Sequence, residues 1–293
     1  PAMAQEVNYA EALKPIVAAL EAAPNDPKAA KDLIKEYQKT FKKNEEAMVA
    51  LGNVYLLQHN YDQASAIAQS VIDNKKFNGA LAYILRGDIA ALKDSVGNAG
   101  AAAAEYQTAI SLDPQNVTAY ERYAKVYRHV NAKVAVAKLE ELRKIKPDYP
   151  VEATAAEIML NDGKYAEALK WYNMANPANM SEDNFYNYGF AAYITKDYNK
   201  ALDVAKQGLT KFPGSEYLSR IAMMAAVELK DYAQAVNFAN AVFAGKGKKV
   251  SNDYDMYAKA LCGNKQYDEA VAAVNKALEL DANNLEPMKT LAA

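Results

Sequence analysis

The tetrad Tyr-x-x-Ala occurs six times along the chain, at Tyr9 to Ala12, Tyr61 to Ala64, Tyr165 to Ala168, Tyr198 to Ala201, Tyr232 to Ala235 and Tyr267 to Ala270. Degenerate copies end at Ala102 and Ala135, so from Ala64 onward the closing alanines step by 38, 33, 33, 33, 34 and 35 residues. Self-similarity near this period marks one supersecondary unit stacked on itself, each copy burying its apolar face only against its neighbours. At 293 residues an ordinary globular chain would divide into two domains, whereas a stacked array is quasi-one-dimensional and is expected here to run as one. Function is then expected on a surface rather than in an enclosed pocket.

Each unit reads as two amphipathic helices. A small residue precedes each marker alanine by 11 to 15 residues, at Gly52, Gly87, Ala124, Ala156, Gly189 and Ala258, with Met223 as the exception. Small side chains at both positions allow two helices to approach closely. Apolar residues follow at helical spacing, as in Leu51, Val54 and Tyr55, or Ala270, Val274, Ala277 and Leu278. Polar breakers such as His59-Asn60, Asn161-Asp162-Gly163 and Lys196-Asp197 divide the two helices. Units end at Asp113-Pro114-Gln115-Asn116, Lys146-Pro147-Asp148, Phe212-Pro213-Gly214 and Asp281-Ala282-Asn283-Asn284, each a helix stop followed by a capping residue.

With a small residue, an aromatic, an alanine and a closing proline in this order, the chain resembles the tetratricopeptide repeat (TPR). The closest fits run from Leu51-Gly52-Asn53-Val54-Tyr55 to Tyr61-Asp62-Gln63-Ala64, and from Tyr267-Asp268-Glu269-Ala270 to Leu280-Asp281. The resemblance implies an all-α superhelical solenoid of about seven hairpins over residues 45–284, with units near 45–78, 80–116, 117–148, 149–181, 182–215, 216–250 and 251–284. In the second unit the turn is stretched through Ser95-Val96-Gly97-Asn98 and is expected to protrude, and Pro177 is expected to truncate the second helix of the fourth. Met223 is expected to hold the sixth pair slightly apart. Residues 8–23 and 27–43, divided at Pro24-Asn25-Asp26-Pro27, read as an additional amino-terminal hairpin, after which Asn44 caps the next helix with Glu45 and Glu46 in its first turn. Residues 285–293 read as a short helix covering the last unit, and residues 1–7 as a tail.

Ala2-Met3-Ala4 has the small-x-small form that ends a secretory signal peptide, and a cloning scar would read the same way. The export reading places the protein in a bacterial periplasm or outside the cell; the other leaves it in the cytoplasm. Lys plus Arg number 34 against 36 Asp plus Glu, so no global field draws a phosphate backbone and nucleic acid is not an expected partner. No apolar run approaches the roughly 18 residues of a membrane-spanning helix. Oligomeric state is not readable from the chain.

Catalysis finds little support, and the chain reads as a non-enzyme without metal or cofactor. The lone Cys262 excludes an intramolecular disulfide framework, and neither His59 nor His129 has a paired metal-ligand spacing. Gly245-Lys246-Gly247-Lys248-Lys249 lacks both the spacing and the preceding strand of a phosphate loop, and reads as an exposed linker between the sixth and seventh units.

In the resembled family, positions two, five, nine and twelve of each first helix line a concave peptide groove. Here they are Glu46, Val49, Asn53 and Leu56 in the first unit, Leu81, Ile84, Asp88 and Ala91 in the second, and Thr118, Glu121, Lys125 and Arg128 in the third. Asp183, Tyr186, Phe190 and Tyr193 hold them in the fifth, followed by Tyr217, Arg220 and Met224 in the sixth. Aromatics with arginine and methionine are hot-spot residues, although the same rings could instead pack against the adjacent helix. The third unit, with Arg122, Lys125, Arg128, Lys133, Lys138, Arg143, Lys144 and Lys146 against Glu121, Glu140, Glu141 and Asp148, is locally basic. Lys125 and Arg128 could receive a partner's carboxylate; a solvated helix face with a Glu121–Lys125 pair is the other reading. Val49 with Asn53 and Ile84 with Asp88 do not match the Lys/Asn clamp with which some family members hold chaperone tails. The expected function is a protein-interaction scaffold holding an extended peptide or partner segment through Glu121, Lys125, Arg128, Tyr186, Phe190, Tyr193, Tyr217, Arg220 and Met224. A glycan-binding accessory protein of the cell envelope is the alternative, since aromatic faces also stack on sugars.

Overall fold

A computed structural model describes residues 8–26, 28–93 and 98–293. The tail at 1–7 with its candidate cleavage motif, Pro27, and residues 94–97 of the stretched loop lie outside the described residues. Among the described residues there are seventeen α-helices and no strand, and no helix is long and apolar enough to cross a membrane. Residues up to Tyr149 make one compact body and residues from Pro150 to Ala293 a second.

The amino-terminal body holds α1 (Tyr9–Ala22), α2 (Lys31–Phe41), α3 (Glu45–Leu57), α4 (Tyr61–Asp73), α5 (Ala80–Lys93), α6 (Ala99–Leu112), α7 (Val117–Tyr127) and α8 (Ala132–Ile145). The carboxy-terminal body holds α9 (Glu152–Asn161), α10 (Tyr165–Met174), α11 (Glu182–Ile194), α12 (Tyr198–Lys211), α13 (Glu216–Glu228), α14 (Tyr232–Ala244), α15 (Ser251–Gly263), α16 (Tyr267–Leu280) and α17 (Glu286–Ala292). The fourth hairpin's second helix, α10, is short as expected: it stops at Met174, and Asn176 caps a single 3-10 turn at Pro177–Asn179. Helix α2 begins at Lys31 rather than 27, because Asp26 accepts from Lys28 N at 2.9 Å and holds the approach as turns. Asn44 caps α3 through Ala47 N, as its sequence position implies.

One packing rule holds in both bodies. The two helices of a hairpin pack together, and the second packs on the first helix of the next hairpin. First helices also touch their successors: α1 with α3, α3 with α5 and α5 with α7 in one body, and α9, α11, α13, α15 and α17 in turn in the other. Within each body, among the described residues, no second helix touches the second helix of the next hairpin. The row whose members touch follows the tighter radius, so first helices line the inner side of each body.

Close approach depends on the small residues. Ala64, Ala102, Ala135, Ala168, Ala201, Ala235 and Ala270 are all 0% exposed. A Cβ on Gly87 would lie 2.4 Å from the Tyr106 ring, and one on Gly52 equally close to Leu85 of the next first helix. The marker tyrosines close the turns. Tyr232 lies flat over Gly263, where a Cβ would come within 2.2 Å of the ring, and Tyr165 meets Phe190 edge-on. Tyr267, in the hairpin followed by the single helix α17, is 61% exposed.

The turn between paired helices has one recurring form. His59, Gly163, Lys196, Lys230 and Lys265, each two residues before a marker tyrosine, have left-handed backbone. The following N–H reaches back five residues, as in Asn60 N to Tyr55 O at 2.9 Å and Asp197 N to Ala192 O at 2.8 Å, closing a Schellman motif. That same residue then caps the second helix in α4, α12 and α14, so one dipeptide ends one helix and starts another.

Gly87 and Gly100 make an internal comparison. Gly87→Ala should lower stability by about 1–3 kcal/mol by displacing the rigid Tyr106 ring. Gly100→Ala, in α6 with nothing within 4 Å of the new Cβ, should raise it by about 0.5–1 kcal/mol through backbone entropy. Urea denaturation of both variants checks the pair, and equal effects would contradict the packing account.

Candidate functional site

On the inner side of the amino-terminal body a concavity of about 850 Å³ opens between α3, α5 and α7. Ten stripe residues line it: Val49, Asn53, Leu56, Leu81, Ile84, Asp88, Ala91, Thr118, Lys125 and Arg128. Val49, Leu56 and Ile84 are buried between neighbouring helices and form the floor. The mouth is apolar and open, with Leu57 78% and Leu92 55% exposed.

Charge in the groove is unevenly placed. Among the described residues, Arg122, Lys125 and Arg128, all from the end of the groove formed by α7, are its cations, and Asp88 is its one carboxylate. Asp88 is already engaged: it accepts from the Tyr106 hydroxyl at 2.6 Å and forms an ion pair with Arg122, one period further on. Burial, and after it the Asp88 charge, push the Tyr106 hydroxyl far above its usual range, while the hydrogen bond to Asp88 raises Arg122. Arg128 donates from Nη1 to the Lys125 carbonyl at 2.8 Å and from Nε to His129 Nε2 at 3.2 Å, leaving its charge unneutralised. No ion pair or side-chain hydrogen bond among the described residues involves the Lys125 ammonium. Glu121 does not pair with Lys125; its carboxylate accepts from Tyr149 Oη at 2.7 Å, and burial followed by Glu121 raises that phenol to about 12.

In the carboxy-terminal body the stripe gathers an aromatic face. Tyr186 stacks on Phe190 at 6.3 Å, Tyr217 meets Tyr186 edge-on at 5.9 Å, and Tyr193 meets Tyr198 at 5.4 Å. Tyr186 and Phe190 are half-buried against Ile221 and Ala222, whereas Tyr217 is 61% exposed. Tyr193 also donates to Glu228 at 3.4 Å, and burial, with that carboxylate second, raises it to about 12. Arg220 is fully occupied: Nε donates to the buried Asp253 at 2.7 Å and Nη2 to Glu216 at 3.2 Å. Met224 packs with the α13–α15 core. A smaller cleft of about 180 Å³ is lined by Glu157, whose carboxylate is satisfied by Tyr172, Asn184 and Asn187.

The glycine-lysine run at 245–249 is a knot rather than a loose linker. Glu216 accepts from Gly247 N at 2.9 Å and from Lys249 Nζ at 2.7 Å, and Lys249 also donates to the Gly245 carbonyl at 3.0 Å. Of the other candidates, His59 lies in an exposed turn with Nδ1 at 3.3 Å from Tyr61 Oη, and burial raises the Cys262 thiol, which disfavours a nucleophilic thiolate. Sequence position alone does not single out Leu57, Leu92 or Tyr106, and it marks His129 only as a catalytic or metal-binding candidate, not as part of a groove. Arg122 carried a usable signal, since it stands one period after an opposite charge at Asp88.

No protein-family model matches the sequence, and no curated protein matches it. Solved structures do match in fold. The carboxy-terminal part of a TPR repeat-containing protein from Cytophaga hutchinsonii aligns with a TM-score of 0.60 at 19% identity, covering 83% of this chain and 99% of that one. YrrB, a TPR protein with an unusual peptide-binding site, aligns at 0.56 and 15% identity over 64% of this chain and 98% of its own. PilF from Pseudomonas aeruginosa aligns at 0.51 and 17% identity, over 73% and 96% respectively.

The Glu216 knot has a pH signature. The hydrogen bond from Lys249, followed by the Gly247 N–H and Arg220, holds the Glu216 carboxyl below its ordinary value of 4.5, against the opposing effect of burial. A carboxyl depressed in the folded state stabilises above its unfolded value, and that contribution is lost as pH falls through the folded one. Glu216→Gln should therefore lose about 1.5–3 kcal/mol at neutral pH, with the gap to the parent protein closing below about pH 4. Urea denaturation at both pH values reads this directly, and a gap independent of pH would refute it.

Proposed function

We propose that this chain, a tetratricopeptide-repeat protein by its fold, is a non-enzymatic interaction scaffold that holds an extended segment of a partner protein in the inner groove of its amino-terminal body. The observation that carries this reading is the groove itself. Three first helices place exposed Leu57 and Leu92 beside an unpaired Lys125 around one concavity of about 850 Å³, near the upper end of the roughly 300–1,000 Å³ range of ligand sites. Exposed leucines facing a shared hollow gain from being covered, at roughly 25 cal/mol per Å² of apolar surface, and a peptide backbone can satisfy its polar groups on Asn53, Asn116 and Thr118 along the same lining. YrrB, with its peptide-binding site, is a precedent on this fold.

The aromatic face of Tyr186, Phe190, Tyr193 and Tyr217 is proposed as a second contact surface. Its exposed Tyr217 ring, backed by stacked neighbours, offers a large contact area whose ordering cost is already met by packing.

Selection from a random peptide display library on the immobilised full chain tests the groove. Leu57→Asp with Leu92→Asp should abolish enrichment while leaving the circular dichroism spectrum and thermal midpoint unchanged, because both side chains are exposed. Tyr217→Ala should not alter the peptides selected by the groove. Enrichment of the same peptides on the doubly substituted chain would place binding elsewhere and sink the proposal.

A further inference from the structure

The lining of the groove changes chemistry from one first helix to the next. Helix α3 contributes no charged residue to it, and α5 contributes only Asp88. Every cation comes from the α7 side, and every exposed leucine from α3 or α5. The Asp88–Arg122 pair stands at the boundary, its two charges cancelling each other and locked by the Tyr106 hydroxyl. Beyond that boundary Lys125 and Arg128 remain as two positive charges with no carboxylate among the described residues of the lining to answer them.

From this gradient we infer that the groove selects a two-part segment: an aliphatic stretch that lies over Leu57, Leu81 and Leu92, followed along the groove by aspartate or glutamate side chains that meet Lys125 and Arg128. The inference rests on the peptide-groove reading above and specifies its ligand. Charge complementarity supplies the acidic half. A basic segment would place like charges opposite Lys125 and Arg128, a costly arrangement at an interface. An acidic residue set over α5 would instead meet the Asp88–Arg122 pair, whose charges already cancel, and gain no such attraction, so the neutralised pair fixes where the acidic half begins. The open mouth on the leucine side favours aliphatic residues in the first half through their burial.

The ligand's acid is assigned to side chains, not to a chain terminus, and the probes separate the two. Decapeptides displayed internally, with both ends fused, should be enriched with aliphatic residues in one half and Asp or Glu in the other. A synthetic copy with blocked ends should bind the full chain in fluorescence polarisation, and its affinity should fall by about 10-fold when its acids are changed to Gln, the scale of two partly exposed ion pairs. The affinity of the acidic peptide should also weaken with added salt, whereas that of the Gln version should not. Lys125→Glu with Arg128→Glu should invert the preference toward Lys- and Arg-bearing peptides while keeping the aliphatic half.

Groove-dependent peptides without acidic residues, or a preference unmoved by the charge reversal, would overturn this inference and leave the groove reading standing. Binding that appears only with a free terminal carboxylate would overturn it as well. No enrichment that Leu57→Asp with Leu92→Asp removes would overturn both.

Discussion

The close approach of paired helices at the marker alanines is the constraint from which the rest follows. A hairpin of two short helices cannot cover its own apolar face, so each depends on the next for burial. That dependence holds only if the helices can come together where they cross, and seven alanines at 0% exposure occupy those crossings. Once the pairs are fixed, the first helices fall into a touching inner row and the second helices into an outer one. Side chains on the inner row that point away from their partner helix are then covered only by neighbouring first helices, which bury Val49, Leu56 and Ile84 but leave Leu57 and Leu92 exposed. The groove is thus a by-product of the packing that stabilises the array, and its chemistry is free to differ from hairpin to hairpin.

Much of this could be read from residues alone. The marker alanines, the helical pairing, the short α10 and the Asn44 cap all follow from local pattern, because each is decided within one period of sequence. Most of the groove stripe was legible for the same reason: positions nine and twelve of a first helix keep their direction wherever the hairpin sits, and Asn53, Leu56, Asp88, Ala91, Lys125 and Arg128 all face the concavity. Leu57 and Leu92 escaped because they stand just past the stripe, at or near the carboxy-terminal ends of α3 and α5.

Long-range polar pairing was the harder part. Glu121 sits four residues before Lys125, the spacing of a helical ion pair, yet its carboxylate accepts from Tyr149 instead. Arg220 looked like a binding handle and is held by Asp253. Each outcome depends on the register between neighbouring hairpins, which no single helix encodes. In a stacked array, however, that register repeats, and the observed partners lie close to one period apart: Asp88 with Arg122 at 34 residues, Arg220 with Asp253 at 33, Glu216 with Lys249 at 33, and Glu45 with Gly79 at 34. A charge with an opposite charge one period away is therefore a pairing signal in its own right, beside helical-turn pairs such as Glu216 with Arg220.

This pairing also sorts the charges by role. Ion pairs that join successive hairpins fix their relative rotation as well as adding stability, because carboxylates as little exposed as Asp88 and the buried Asp253 are costly to leave without a partner. Cations without such a partner are not needed for register. In the amino-terminal body these include Lys125 and Arg128, which stand at the groove. In the carboxy-terminal body Arg220 is drawn into the Glu216–Asp253 network, so the neighbouring rings are left without that cationic handle. Each body consequently presents its own chemistry from its own inner row, aliphatic and cationic in the amino-terminal body and aromatic in the carboxy-terminal one. That difference arises from the side chains on each stripe and from which cations lack a carboxylate one hairpin away, features that local helix-forming pattern does not constrain.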